Sequence, residues 1–193
     1  MNLLKNWRDK TNLYLITATL PTVAIALILK ALAPTLLSGA YLPLGFMVTT
    51  VFLICAEKLN FAQINGLTMK SSILSGVFQG IAVLPGISRS GATITALRLA
   101  GVDKTRATDF SFLMSIPIIV GSLILESVDL FRGEFTLATG DILPLILGTF
   151  TAFLSGIFAI KFFLKMVKNH SMIPFAIYTF FMSVASLITM AMK

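Results

Sequence analysis

The sequence is poor in charged residues, cysteine and histidine. Aspartate, glutamate, lysine and arginine make up 12% of its 193 residues, whereas a soluble domain usually has about 25%. Its single cysteine, Cys55, excludes a disulfide framework and a thiolate metal cluster. Its single histidine, His170, follows a basic stretch and is predicted to lie in a loop. The low charge therefore excludes an ordinary soluble domain.

In place of charge, the sequence has long apolar stretches. Hydrophobic residues make up 56% of the chain, and the mean hydropathy is +0.93. A membrane-spanning helix needs roughly 20 mainly apolar residues. Five stretches meet or nearly meet this requirement: Leu13 to Ala33, Gly39 to Ala56, Phe110 to about Leu130, Ile142 to about Leu164, and Ser171 to Met192. These stretches predict an all-α integral membrane protein that forms one membrane domain over residues 1–193.

Residues 71–100 are long enough to cross the membrane but are interrupted in the middle. Pro85 lacks an amide hydrogen and disfavours helical geometry at the residue before it, and Gly86 adds a flexible joint. Two short helices are predicted instead, from Ser71 to about Val83 and from about Ser88 to Ala100. Each would be about 20 Å long, against a hydrocarbon core of about 30 Å. The segment is therefore predicted to be a re-entrant helix-loop-helix hairpin that enters and leaves through one face.

The positions of the 15 basic residues favour this hairpin, because basic residues collect in cytoplasmic loops. With the hairpin, eleven lie on the side of the amino terminus and three on the other side, with Arg89 at the tip. A full crossing would give seven on each side and no preferred orientation. Residues 1–12 are therefore predicted to be cytoplasmic and the carboxyl terminus outside. Basic residues beside helix ends also predict contact with membrane lipid headgroups, so no nucleic-acid partner is expected.

The tip sequence PGISRSGAT is a candidate phosphate-binding site. The second short helix begins there, so its free amides and positive dipole end point into the tip. Glycines let the backbone approach a ligand, hydroxyls donate hydrogen bonds, and a guanidinium is a fork suited to phosphate oxygens. The candidate residues are Pro85, Gly86, Ser88, Arg89, Ser90, Gly91 and Thr93. The alternative is that Arg89 pairs with a carboxylate and only locks the bundle, although no acid stands between Lys70 and Asp103.

The segment QGIAVLPGISRSGATIT, residues 79–95, resembles the second signature of the undecaprenyl-diphosphatase family, the bacitracin-resistance lipid phosphatases. Residues 107–122, ATDFSFLMSIPIIVGS, and residues 15–30, LITATLPTVAIALILK, are similar to other helices of that family. The resemblance implies hydrolysis of undecaprenyl diphosphate to its monophosphate in the plasma membrane, which recycles the lipid carrier for peptidoglycan synthesis. It implies catalytic functions for Arg89 and Ser88, phosphate contacts for the other tip residues, and a divalent cation, Mg or Ca, whose ligands cannot be identified in this chain.

The sequence departs from the family at its amino-terminal end. Family members normally carry an earlier re-entrant segment with paired glutamates, followed by a serine-rich stretch and a histidine. Only twelve residues precede Leu13, and they contain no glutamate or histidine. Gln79 and Val83 have the spacing of the paired acids, but Val83 cannot transfer a proton. We therefore expect that the chain needs an amino-terminal partner, or forms a homodimer, or has lost activity.

Two other acidic features have weaker interpretations. An acidic group, Glu126, Asp129, Glu134 and Asp141, could hold a divalent cation but is more typical of an outer loop. Glu57 with Lys58 is interpreted as a solvated helix end. A transporter or flippase of a phosphorylated polyprenyl lipid remains an alternative function, because transporters also aim broken helices at anions. A purely structural membrane subunit is a third.

Overall fold

A computed structural model describes residues 10–58, 66–132, 140 and 142–192. These residues form α-helices and a short 3₁₀ helix, with no strand among them, which confirms the all-α fold. The elements are α1 (Lys10–Leu32), the 3₁₀ helix (Pro34–Ser38), α2 (Leu42–Lys58), α3 (Met69–Ile81), α4 (Arg89–Leu99), α5 (Lys104–Phe131), α6 (Ile142–Asn169) and α7 (Ile173–Ala191).

Four of these helices are long and apolar enough to cross a membrane. They are α1, α5 as far as Asp129, α6 and α7. Helix α2 has 17 residues, at the short end of the range that can span a bilayer. The chain is therefore an integral membrane protein, and each predicted apolar stretch corresponds to one of these helices. Helix α5 begins six residues before the predicted start, because the Asp103 carboxylate accepts a hydrogen bond from the Arg106 amide and caps the helix.

The described chain divides into two compact units. One comprises the described residues up to Met114 together with those from Ser171 onward, and contains α1 to α4, the start of α5, and α7. The other comprises residues 115–170, with the rest of α5 and α6. A single membrane domain over residues 1–193 remains a prediction.

The predicted break in residues 71–100 is present in the first unit. Helix α3 begins with a reciprocal capping box between Thr68 and Ser71 and ends at Ile81. A turn follows in which the amide of Ile87 donates to the carbonyl of Leu84. Pro85 and Gly86 occupy the two central positions, and Gly86 has a φ of +88°, as a type II turn requires. The chain then enters α4 directly.

Contacts along the two arms of the hairpin give their direction. Helix α3 runs parallel to α1: the Thr22 hydroxyl donates to the Gly76 carbonyl, and Gly80 lies further along, against Ile25. Helix α4 runs parallel to α2, from the Gly86 region beside Thr49 to the Arg98 side chain beside Ala56. Both outer ends of the hairpin therefore lie at the same end of this unit, as predicted for a re-entrant hairpin.

The same end of the unit collects positive charge. It holds the starts of α1 and α3 and the ends of α2 and α4. The start of α5 lies there too, because Lys104 of α5 forms an ion pair with Glu57 of α2. The basic residues at this end are Lys10, Lys58, Lys70, Arg98, Lys104 and Arg106. The tip of the hairpin lies toward the opposite end, level with the first turns of α2, where Gly86 approaches Leu42 and Phe46. This distribution agrees with the one-sided charge pattern predicted for the hairpin.

Candidate anion-binding site at the hairpin tip

The turn at the tip is packed tightly against α2. A Cβ atom added to Gly86 would lie 2.6 Å from the Leu42 carbonyl oxygen and 2.9 Å from the Phe46 nitrogen. A Cβ added to Gly45 would overlap the carbonyl oxygen of Pro85. Glycine is therefore required on both sides of this contact, and the sequence pattern identified only one of the two.

Helix α4 begins with a side-chain cap. Ser88 has an extended backbone, and its Oγ accepts a hydrogen bond from the Gly91 amide at 3.1 Å. A Cβ on Gly91 would lie 3.2 Å from that Oγ, so the glycine leaves room for the cap. The amides of Arg89 and Ser90, which precede Gly91, donate to no acceptor among the described residues. They are free donors at the positive end of the α4 dipole.

Arg89 is the first residue of α4 and its side chain is exposed. In the part of the chain that the structure describes, the ion pairs join Lys104 to Glu57 and Arg106 to Asp103, and none involves Arg89. The alternative in which Arg89 pairs with a carboxylate finds no support there. Its guanidinium is available to an anion beside the two free amides.

The hydroxyls of the motif have different surroundings. Ser90 is partly exposed, and its Oγ lies 3.5 Å from the Oγ of Ser88. Thr93 is only 1% exposed, and its hydroxyl bonds to the Arg89 carbonyl and, at 2.5 Å, to the Ser111 hydroxyl of α5. Phosphate contact by Thr93 stays a prediction. Its bond to Ser111 indicates instead that Thr93 holds α4 against α5. Ser90 remains beside the exposed arginine.

Gln79 and Val83 differ in their surroundings. Gln79 is buried, and its side-chain nitrogen donates to the Met114 carbonyl at 3.4 Å. Val83 lies beyond the end of α3, in the turn, and is 37% exposed. The two residues are thus not neighbours on one helix, although the spacing of the paired-acid motif had suggested a correspondence.

Glu57 is not the solvated helix end that the sequence suggested. Its carboxylate accepts hydrogen bonds from the Lys104 ammonium at 2.8 Å and from the Met172 amide at 3.1 Å, so it ties α2 to the starts of α5 and α7. Glu57 follows the apolar run of α2 and lies at the end of the unit where the basic residues collect. Partial burial by itself raises the pKa of Glu57, but the hydrogen bonds from Lys104 and Met172 outweigh it and hold that pKa below its ordinary value.

The described residues offer no set of metal ligands. Nowhere in residues 10–58, 66–132, 140 and 142–192 do three or more histidine, cysteine, aspartate or glutamate side chains form a group that could hold a metal ion. Glu126 and Asp129 lie on α5, whereas Glu134 and Asp141 are outside the described residues. The tip itself offers a guanidinium, amides and hydroxyls, which suit an anion and not a cation.

These features define a class of protein: a helical integral membrane protein that presents, at the tip of a hairpin, a helix amino terminus and an arginine with no ion-pair partner among the described residues. Such an arrangement suits the phosphate groups of a lipid.

Comparison with known proteins agrees with this class. Residues 2–185 match the family described as "Bacitracin resistance protein BacA". A protein of Treponema denticola named "Undecaprenyl-diphosphatase" is 39% identical over 85% of the chain. Proteins of the same name from Carboxydothermus hydrogenoformans and Christiangramia forsetii are 37% and 38% identical over 97% and 94% of the chain. The chain spans 60%, 72% and 69% of the length of these three relatives.

The chain therefore belongs to the bacitracin-resistance BacA family, in agreement with the resemblance predicted from its motifs.

Proposed function

We propose that this chain forms the diphosphate-binding part of an undecaprenyl-diphosphatase of the plasma membrane, which hydrolyses a polyprenyl diphosphate to its monophosphate. The names of the relatives support the reaction. The observation that carries the site is Arg89, exposed at the first position of α4 without an ion-pair partner among the described residues. In this proposal the amino terminus is cytoplasmic and the tip opens toward the outer face.

The tip supplies positive charge where the substrate is negative. The Arg89 guanidinium binds phosphate oxygens through paired donors, while the amides of Arg89 and Ser90 bind oxygens at the helix end. Phosphoryl transfer depends mainly on positioning and on neutralising charge at the transferred group and leaving group. Ser88 caps the helix through its oxygen, which leaves its hydroxyl proton free to donate to the same phosphate.

The proton-transfer chemistry has to come from elsewhere. The described residues of the tip, from Leu84 to Thr93, include no carboxylate and no histidine. An amino-terminal partner or a second copy of the chain would supply these groups in the proposal. A divalent cation, Mg or Ca, has no ligand set among the described residues, so no step is assigned to it.

The relatives favour hydrolysis over transport of a phosphorylated lipid, since the matched proteins carry a phosphatase name. A transport assay with a non-hydrolysable polyprenyl diphosphate separates the two functions. A transporter would move that lipid across the membrane of vesicles that contain the chain. It would release no phosphate from the natural diphosphate.

The decisive experiment replaces Arg89 in the chain, produced together with the amino-terminal region of a relative. We expect Arg89→Ala to lower phosphate release from undecaprenyl diphosphate roughly 100-fold or more, as removal of an oxyanion donor does. Arg89→Lys should restore part of the rate, because the ammonium keeps the charge but lacks the fork.

Arg132→Ala is the matched control. Arg132 is an exposed arginine just past the end of α5, so its loss should leave the rate unchanged. Equal rates for Arg89→Ala and the wild type would contradict the proposed site.

A further inference from the structure

A buried threonine of α2 holds the tip of the hairpin in place. Thr49 is 2% exposed and lies one turn beyond Gly45 on the same helix. Its hydroxyl donates to the Gly86 carbonyl at 2.8 Å and accepts from the Ser88 amide at 2.8 Å. A single side chain therefore bonds the backbone on both sides of Ile87.

These two bonds occur where the turn ends and α4 begins. Gly86 is the third residue of the turn, and Ser88 is the cap of the helix. Neither peptide group is bonded within regular helix at this point, and buried peptide groups are costly when they lack partners. The Thr49 hydroxyl satisfies both and thereby fixes the angle at which α4 leaves the turn.

The direction of α4 determines where its first residues point. Arg89 and Ser90 directly follow Ser88, and their amides are the free donors of the site. A small rotation of the Ser88 peptide would move these donors relative to one another, and anion binding depends on their convergence.

We propose that Thr49 is a positioning residue of the anion site, which aligns the amides and guanidinium at the start of α4 without touching the ligand. This inference rests on the proposed function for its ligand, a prenyl diphosphate. The alignment of the tip by Thr49 is a property of the chain itself and can be measured without the ligand.

The neighbouring threonine provides a matched control. Thr50 is also buried, but its hydroxyl bonds to the Phe46 carbonyl and to the Thr179 hydroxyl of α7 at 2.9 Å. Among the described residues these are the bonds of the Thr50 hydroxyl, and neither reaches the hairpin. Thr50→Val therefore removes a hydroxyl from the same helix without touching the tip.

The test uses the full chain in nanodiscs and compares Thr49→Val, Thr49→Ser and Thr50→Val with the wild type. The affinity for farnesyl diphosphate and for inorganic pyrophosphate is measured by titration, and amide exchange is followed over residues 87–90. We expect Thr49→Val to weaken binding about tenfold and to speed exchange at the tip, because two hydrogen bonds are lost. Thr49→Ser should restore both properties, and Thr50→Val should change neither.

Wild-type affinity and exchange in a folded Thr49→Val variant would overturn the inference. If that variant does not accumulate, Thr49→Ala removes the hydroxyl without adding a methyl group against the turn, and the same outcomes apply. Failure of the proposed function has a different signature: the wild type and Arg89→Ala would both fail to bind farnesyl diphosphate. The exchange rates would then still decide whether Thr49 fixes the tip.

Discussion

Hydroxyl groups are used differently in the hairpin region and in residues 115–170. In the first unit some hydroxyls bond within their own helix, but five also bond from one element to another: Thr22 to Gly76, Thr49 to Gly86, Thr95 to Phe52, Thr93 to Ser111 and Ser183 to Pro43. In residues 115–170 the hydroxyls of Ser122, Ser127, Thr151 and Ser155 bond to carbonyls of their own helix, three or four residues back. The first pattern joins elements, whereas the second only satisfies a local polar group.

The glycines show the same contrast. A Cβ on Gly45 would overlap the Pro85 carbonyl oxygen, and a Cβ on Gly76 would overlap that of Ala18. A Cβ on Gly148 or Gly156 of α6 would meet no atom of the described residues within 4 Å.

This difference shows what specifies a fold in lipid. Apolar side chains gain little from leaving one hydrocarbon environment for another, so small residues and interhelical hydrogen bonds have to choose the partners. The hairpin region is rich in both, and the site is built there. Helix α6 is more apolar than the hairpin, yet within the described part of residues 115–170 its glycines and hydroxyls contact no other helix.

The largest predicted effect comes from the glycines. We expect Gly45→Ala to destabilise the protein by about 3 kcal/mol, because backbone overlaps are the costly end of overpacking. Gly148→Ala should cost nothing, since its methyl group would meet no described atom within 4 Å. Thermal unfolding in detergent measures both. Equal midpoints for the two variants would remove the distinction between the regions.

The next effect concerns two arginines. Arg98 is 7% exposed and donates to the Ala56 and Val102 carbonyls, whereas Arg132 is exposed just past the end of α5. Arg98→Met should cost about 2 kcal/mol, as expected for hydrogen bonds from a charged group. Arg132→Met should leave the midpoint of unfolding within error of the wild type. If Arg132→Met lowered the unfolding midpoint more than Arg98→Met, the carbonyl bonds of Arg98 would not be a source of stability.

Removal of hydroxyls should give a smaller difference. Thr95→Val removes the interhelical bond from the Thr95 hydroxyl to the Phe52 carbonyl and should cost about 1 kcal/mol or less, the usual value for such bonds in membranes. Thr151→Val removes a bond to Leu147 within one helix and should be neutral. Unfolding by a denaturing detergent compares the two. A neutral Thr95→Val would mean that the interhelical bond contributes no specificity.

The smallest effect depends on pH. The pKa of Glu57 is lowered on folding, so its contribution to stability is complete above the ordinary carboxylate pKa, about 4.3. That contribution is lost as the pH falls through the lowered value. The wild type should therefore lose more stability than Glu57→Gln between pH 7 and pH 3.

Glu126→Gln, with the same change of charge at an exposed position, is the control and should follow the wild type. Parallel acid profiles for the wild type and Glu57→Gln would contradict a stabilising ion pair with Lys104.

Much of this architecture could be predicted from local patterns. Apolar length located the long helices, the Pro85–Gly86 pair located the turn, and the basic residues indicated that the hairpin returns to its starting end. The cap at Ser88 also follows from the sequence, because a serine before a helix is a local signal.

The supporting residues could not be predicted because their partners are distant in sequence. Thr49 lies 37 positions from Gly86, and Glu57 lies 115 from Met172. Contacts between residues so far apart in the sequence leave no periodic pattern in it. Gly45 reads as an ordinary small residue in an apolar helix until the backbone of the turn is placed against it. The charge pattern gives Arg98 no distinction from the other basic residues at helix ends, since its burial depends on the distant Ala56 carbonyl as well as on that of Val102.

The attachment of the turn to α2 also constrains biogenesis. The peptide groups around Ile87 find their donor and acceptor on a helix that is synthesised earlier, so we expect the hairpin to settle in the bilayer after that helix is in place. Residues 69–193 translated without residues 1–68 should therefore be retained and degraded during insertion, and co-expression of residues 1–68 should rescue them.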